Sequence, residues 1–155
     1  MPAPVIIPDD YTYTLIPLLF SGLLNFYHGL LVGRHRKLAK VPYPNAYVPA
    51  SEANADLAKY RFNCAQRAHA NYIENWPQFA SSLVVAGLWY PKAAAVAGGV
   101  WAVGRLVYAR GYSGSAQIGD DGKGRIGLGM VYFLAQLSLW GMSGWGLWKA
   151  VSFGL

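Results

Sequence analysis

Arg67, Asn71, Glu74 and Gln78 recur at intervals of four, three and four residues. On a helix turning about 100° per residue these positions fall within about 60° of arc, a single polar stripe. Arg105, Tyr108 and Tyr112 fall at i, i+3 and i+7 and form a second such face. Two stripes facing one another would line a pocket. Guanidinium grips carboxylate with two parallel hydrogen bonds. The surplus of Arg36, Arg67 and Arg105, with one or both of Lys123 and Arg125, therefore points to a small anion with carboxylates. Glu74 asks that the same ligand carry an ammonium, and a zwitterionic peptide with surplus carboxylate meets both demands. Arg67 and Glu74 could pair with each other, but the stripe has more donors and acceptors than one internal pair consumes.

Other chemistries find no support. His28, His35 and His69 are not at metal-ligand spacing, and one cysteine, Cys64, excludes a disulfide framework or a multi-cysteine zinc site. No HExxH, GxSxG, Walker or GxGxxG pattern is present, so no metal is expected. The basic residues include no run interleaved with stacking aromatics, which argues against nucleic acid.

The stripes sit on segments that are otherwise starved of charge. Of 155 residues 54% are hydrophobic and 13% are charged, against about 25% charged in soluble domains. So small a polar supply cannot coat a soluble globule of this size. Tyr11–Gly33 and Ile126–Trp148 are each 23 residues without Asp, Glu, Lys or Arg, longer than the roughly 18 that mark a membrane-spanning helix. Ala68–Pro91 is broken only by Glu74, and Ala93–Gly104 continues past Arg105. The expected fold is all-α, an integral membrane four-helix bundle forming a single domain over 1–155. Its spans lie at about 12–34, 63–90, 93–113 and 124–150.

Orientation follows from the cations. Seven of the 13 basic residues lie in 34–67 and four in 105–125, leaving Lys92 and Lys149 opposite. Both basic loops share one side in a four-span chain, which puts them in the cytoplasm and both termini across the membrane. Pro77 inside the second span predicts a kink that frees a carbonyl one turn back. Ala94, Gly98 and Ala102 form a small-residue ridge for close helix packing. Trp140, Trp145 and Trp148 suit an interfacial belt. Lys40–Ala50 and Ser113–Gly124 read as loops.

The run Arg67-Ala-His-Ala-Asn71-Tyr-Ile-Glu74-Asn-Trp-Pro77, followed by Gly104-Arg105-Leu-Val-Tyr108-Ala-Arg-Gly111-Tyr112, resembles the MAPEG family of membrane-associated eicosanoid and glutathione proteins. Within it the likeness is to the type-three microsomal glutathione transferases, over about residues 20–150. The resemblance implies a homotrimer, with glutathione held between neighbouring subunits near one membrane face. It carries glutathione contacts to Arg67, Asn71, Glu74, Tyr108 and Tyr112, and to Arg36 at the end of the first span with Lys37 beside it, Arg34 being the alternative register; Arg105 joins the set from the residue reading above. In leukotriene-C-synthase-like relatives an arginine seven residues after the second tyrosine activates the thiol. That position is Gly119 here and the loop is longer, so the resemblance carries the catalytic role to Arg125, which looks like the matching arginine, with Lys123 as its substitute.

The activity implied is that of a glutathione S-transferase and glutathione peroxidase. It would act on lipophilic electrophiles or lipid hydroperoxides through an arginine-stabilised thiolate, with glutathione as co-substrate. The alternative is a non-catalytic lipid-binding scaffold of the same family. The implied partners are a hydrophobic lipid-derived second substrate, membrane lipids and two further copies of the chain. The implied location is the endoplasmic reticulum membrane, with the nuclear envelope or mitochondrial outer membrane as alternatives.

Overall fold

The computed structural model describes residues 7–153. Among them four long helices, α1 (Thr12–Leu38), α3 (Leu57–Gly87), α4 (Pro91–Gly114) and α5 (Val131–Phe153), are joined by loops and by a single-turn α2 (Ala50–Ala53). Short 3₁₀ turns stand before α1 and at Lys123–Arg125 and Leu128–Met130. Contacts fix an up-down-up-down bundle. Ser21 meets Tyr72 and Trp76 while Arg36 meets Phe62, so α1 and α3 are antiparallel. Asn71 meets Arg105 while Phe79 stacks on Trp101, so α3 and α4 are antiparallel too. Consequently α1 runs parallel to α4, with Pro17 against Gly98 and Tyr27 against Arg110.

The core gathers Leu24, Tyr72, Phe79, Leu83, Trp101 and Leu139, and the Phe79 and Trp101 rings stack at 3.8 Å. Outside it the usual arrangement is inverted. Leu19, Phe26 and Leu134 point outward with 64–69% exposure, while Thr14, Ser21, His28, Gln136 and Ser143 are buried. Polar groups serve as interhelix contacts: Gln136 Nε2 donates to Ser82 Oγ at 2.9 Å and Ser143 Oγ to the Ser82 carbonyl at 2.9 Å. In hydrocarbon such bonds compete with no water, so they suit helix association.

Three span limits shift from the sequence expectation. α1 continues to Leu38, four residues past 34, and ends just before Lys40, whose φ of 54° ends the helical conformation. α3 starts at Leu57, six residues before 63, because Asp56 caps it by accepting from the Ala58 amide at 2.8 Å and the Lys59 amide at 3.4 Å. The largest correction is the last helix, which begins at Val131 and not at 124. Gly122 (φ 69°) and Gly127 (φ 118°) adopt backbone conformations that favour glycine and cannot continue a helix. Four helices of spanning length are present, but only the segment Asp9–Leu38 is long and apolar enough, among the described residues, to cross a membrane by composition alone. α3 carries the polar stripe, and in α4 and α5 Gly, Ser, Tyr and Trp dilute the aliphatic residues. α3 runs through Pro77 as one helix. The ridge of Ala94, Gly98 and Ala102 is buried as expected, with Pro17 packed where a Gly98 side chain would stand.

Candidate functional site

Arg105 is the centre of the site. Its side chain is wholly buried, and Nη1 donates to Asn71 Oδ1 at 2.8 Å. Its carbon Cζ lies 4.6 Å from the Tyr132 ring centroid, 4.9 Å from Tyr108, 5.4 Å from Tyr72 and 5.8 Å from Trp101. Four aromatic rings favour a cation, but they accept few hydrogen bonds. Nε and Nη2 have no partner among the described residues. A buried donor left unmade costs about 1–3 kcal/mol, more when charged, so two donors of Arg105 stand unmet at that cost.

On the outer side of the same α3 face, Arg67 and Glu74 form a two-point ion pair at 2.7 and 3.2 Å. Both side chains are about half exposed, 47% and 53%. The internal pairing weighed against the stripe is therefore present, and Asn71 is what links the pair's face to buried Arg105. Asn75 Nδ2 donates to the Asn71 carbonyl at 2.7 Å and Gln78 Nε2 to Asn75 Oδ1 at 2.8 Å, so the stripe is tied along its length.

Tyr108 is buried and Tyr112 half-buried. Their rings meet edge to face at 5.7 Å, and Arg125 Cζ lies 5.7 Å from the Tyr112 ring. Arg105, Tyr108, Tyr112 and Arg125 thus make one continuous row. Tyr112 also lies within the field of Arg67. Arg125 Nη1 donates to the carbonyls of Asp121 and Gly122, each at 2.8 Å, which aims the guanidinium while leaving Nε and Nη2 uncommitted among the described residues. Glycine makes the row possible. A Cβ on Gly129 would stand 2.8 Å from Tyr108 Cα, one on Gly104 would stand 2.8 Å from the Tyr132 amide nitrogen, and one on Gly111 would collide with the Gly124 carbonyl. Backbone lies directly on backbone there.

The loop carrying Arg125 is anchored to the first turns of α3. Asp120 accepts from the Gln117 amide, the Gly122 amide and Tyr60 Oη, each at 2.8 Å. The Gln117 amide first, and then these other donors, hold the Asp120 carboxyl below its ordinary range. Tyr60, three residues before the expected span, is pushed up to about 12, by burial first and then by its bond to Asp120. Arg61 Nε adds a bond to the Ala116 carbonyl at 3.0 Å.

Arg36 stands in different surroundings. It is turned away from this cluster and buried in the loop after α1, donating to the Asn45 and Pro42 carbonyls at 2.8 and 3.3 Å. Its guanidinium lies between the rings of Tyr43 and Phe62, 4.3 and 4.7 Å from their centroids. These carbonyls and rings hold the guanidinium in place, and within one chain it is not brought to Arg105. Of the two cations weighed for the thiol, Arg125 lies against the Tyr112 ring, and among the described residues Lys123 makes no such contact.

Sequence spacing overlooked Trp101, Tyr72, Tyr132 and His28. Trp101 precedes Arg105 by one helical turn, a signal that was available; Tyr132 on α5 had none. His28 is buried 4.5 Å from the Tyr72 ring, and neither ring nitrogen has a partner among the described residues. No group of three His, Cys, Asp or Glu able to hold a metal occurs among the described residues.

The family model of the MAPEG family matches residues 14–145, most of the chain and all of the cluster just described. The chain belongs to the MAPEG family, whose members are membrane proteins and include glutathione transferases and related enzymes as well as non-catalytic proteins.

Proposed function

We propose that this MAPEG protein binds glutathione and uses it, as a transferase and peroxidase resembling the type-three microsomal enzymes, against lipophilic electrophiles or lipid hydroperoxides. The observation that carries this reading is Arg105: a fully buried guanidinium with two unpartnered nitrogens, tied through Asn71 to the exposed Arg67–Glu74 pair. A buried cation of this kind calls for an anion, and the adjoining ion pair can exchange partners with a zwitterion. Arg67 would release Glu74 to take a ligand carboxylate, and Glu74 would take its ammonium. The exposed half of the cradle has no wall within one chain, which supports completion by a neighbouring subunit in a homotrimer.

Arg125 is assigned the thiol. A glutathione-like thiol with pKa about 8.5 is only about 3% thiolate near pH 7. A guanidinium contact that lowers the pKa by two units, about 2.7 kcal/mol, raises that fraction to about 75%, roughly 25-fold. Part of this gain is offset because a less basic sulfur is a weaker nucleophile. Positioning against a second substrate supplied from the lipid adds the rest. Tyr108 and Tyr112 set the distance between the arginine that anchors and the arginine that activates.

Titration calorimetry of the detergent-purified protein with glutathione tests the reading. Binding is expected, weakened by about 2–5 kcal/mol in Arg67→Ala because a desolvated carboxylate is stranded. The non-catalytic scaffold predicts no binding at all, and that result would refute the proposal.

A further inference from the structure

At the basic end of the bundle, between α1 and α4, lies a second polar cavity of about 570 Å³, lined by Arg34, His35, Arg61, Arg110, Tyr27 and Leu31 among others. None of Arg67, Asn71, Glu74, Arg105 or Arg125 reaches it. Three guanidinium groups and an imidazole face it, and none of its lining residues is a carboxylate. Arg110 Nε donates to Tyr27 Oη at 3.1 Å and Arg61 Nε to the Ala116 carbonyl at 3.0 Å. Each bond fixes a guanidinium by one nitrogen and leaves its Nη pair without another hydrogen-bond partner among the described residues. That pair is the edge which takes two oxygens of a phosphate or carboxylate. Like charges gathered without a counter-charge repel one another, so the cavity is incomplete without an anion.

The same α1–α4 seam continues away from the charges as an apolar groove of about 400 Å³, walled by Tyr13, Ile16 and Phe20 on α1 and by Val96 and Val103 on α4. Its floor includes Gly99, where a Cβ would meet nothing within 4 Å. The helices are parallel here, and Ile16 and Gly99 each lie eleven residues before Tyr27 and Arg110. At 1.5 Å per residue this places the groove about 16 Å from the cavity, close to one leaflet's share of a bilayer's hydrocarbon, about 15 Å. A cationic cavity joined to an apolar groove of that reach has the shape and polarity of an anionic amphiphile.

We propose that the α1–α4 seam binds an anionic phospholipid, its phosphate held by Arg61 and Arg110 beside Arg34 and His35, and an acyl chain laid in the groove floored by Gly99. The site is separate from the glutathione cradle and stands or falls without it. Native mass spectrometry of the protein, exchanged into bilayer discs of equal phosphatidylglycerol and phosphatidylcholine and then released, tests it. Phosphatidylglycerol should be retained about thirtyfold over phosphatidylcholine, the scale of two cationic side chains near an anionic headgroup. Arg110→Gln should cut the preference about fivefold while circular dichroism reports unchanged helix. Gly99→Leu, which fills the groove and leaves every charge in place, should reduce retention of both lipids. Equal retention of the two lipids by the wild-type protein would overturn the proposal, as would a preference left undiminished in folded Arg110→Gln. Displacement of the lipid by millimolar inorganic phosphate alone would also overturn it, showing a site for free anions in which the chain plays no part.

Discussion

Arg105 and Asn71 offer the sharpest separation of binding from folding. In the unliganded protein Arg105 makes one hydrogen bond, to Asn71, and leaves Nε and Nη2 unmade. The charge-assisted bond is worth about 1.5–3 kcal/mol, and the two unmade donors cost about 1–3 kcal/mol each. Deleting one partner alone leaves an orphan, whereas replacing both by apolar groups of similar volume is neutral or favourable. The double variant Arg105→Met/Asn71→Leu should therefore melt within about 1 kcal/mol of the wild type or above it. It should also lose the stabilisation that glutathione provides, about 2.7 kcal/mol at a hundred times Kd in the wild type. Asn71→Leu alone should be the least stable of the set, since it leaves a buried cation without a hydrogen bond. Thermal melts followed by tryptophan fluorescence in detergent, with and without glutathione, read both quantities from one preparation. A double variant that unfolds outright would show Arg105 to be a structural element. One that melts normally and is still stabilised by glutathione would remove Arg105 from the cradle.

Further outcomes follow from neighbouring features. Arg125→Ala should lower turnover by about 25-fold, the thiolate gain worked above, while glutathione affinity from calorimetry stays within a few-fold; loss of the thiolate absorbance near 240 nm on mixing is the direct readout. Gly129→Ala should destabilise the fold by about 1–3 kcal/mol through overpacking against the Tyr108 backbone, and a Tm equal to the wild type would contradict that contact. Tyr60→Phe removes one of the three donors to Asp120 and should loosen the 115–127 loop by about 0.5–1.5 kcal/mol, seen as faster amide exchange confined to that loop. The Asp120 carboxyl is held below its unfolded value of about 3.9, so its contribution is complete above that pH and is lost as pH falls through the lower folded value. Acid exchange profiles should accordingly show the loop opening below pH 4 in the wild type, and Asp120→Asn should abolish that dependence.

How much of this was legible beforehand differs by feature. Helix number, and the pairing of the Asn71 stripe with the Arg105 face, follow from charge-free runs and 3.6-residue spacing, which local sequence expresses directly. The start of α5 does not, because an apolar run looks the same whether it is helical or folded through Gly122 and Gly127 before helix begins. The surroundings of Arg36 were hidden for a related reason. Residue type shows a cation, but only the return of the loop shows that Asn45 and Pro42 carbonyls and two aromatic faces already occupy it. Tyr132 completes the cage around Arg105 from a helix with no polar stripe at all, so nothing local could single it out. The α1–α4 cavity, too, draws its arginines from three helices and exists only once they are packed.

The glycine contacts between α4 and the segment leading into α5 carry a mechanical consequence. Main chain rests on main chain at Gly104, Gly111, Gly124 and Gly129, so no side chain can change rotamer there to widen a gap. Arg105, Tyr108, Tyr112 and Arg125 consequently travel as one plate. Any breathing of the bundle beside them comes from α1 or α3 sliding on their side-chain contacts, with the plate as the fixed wall.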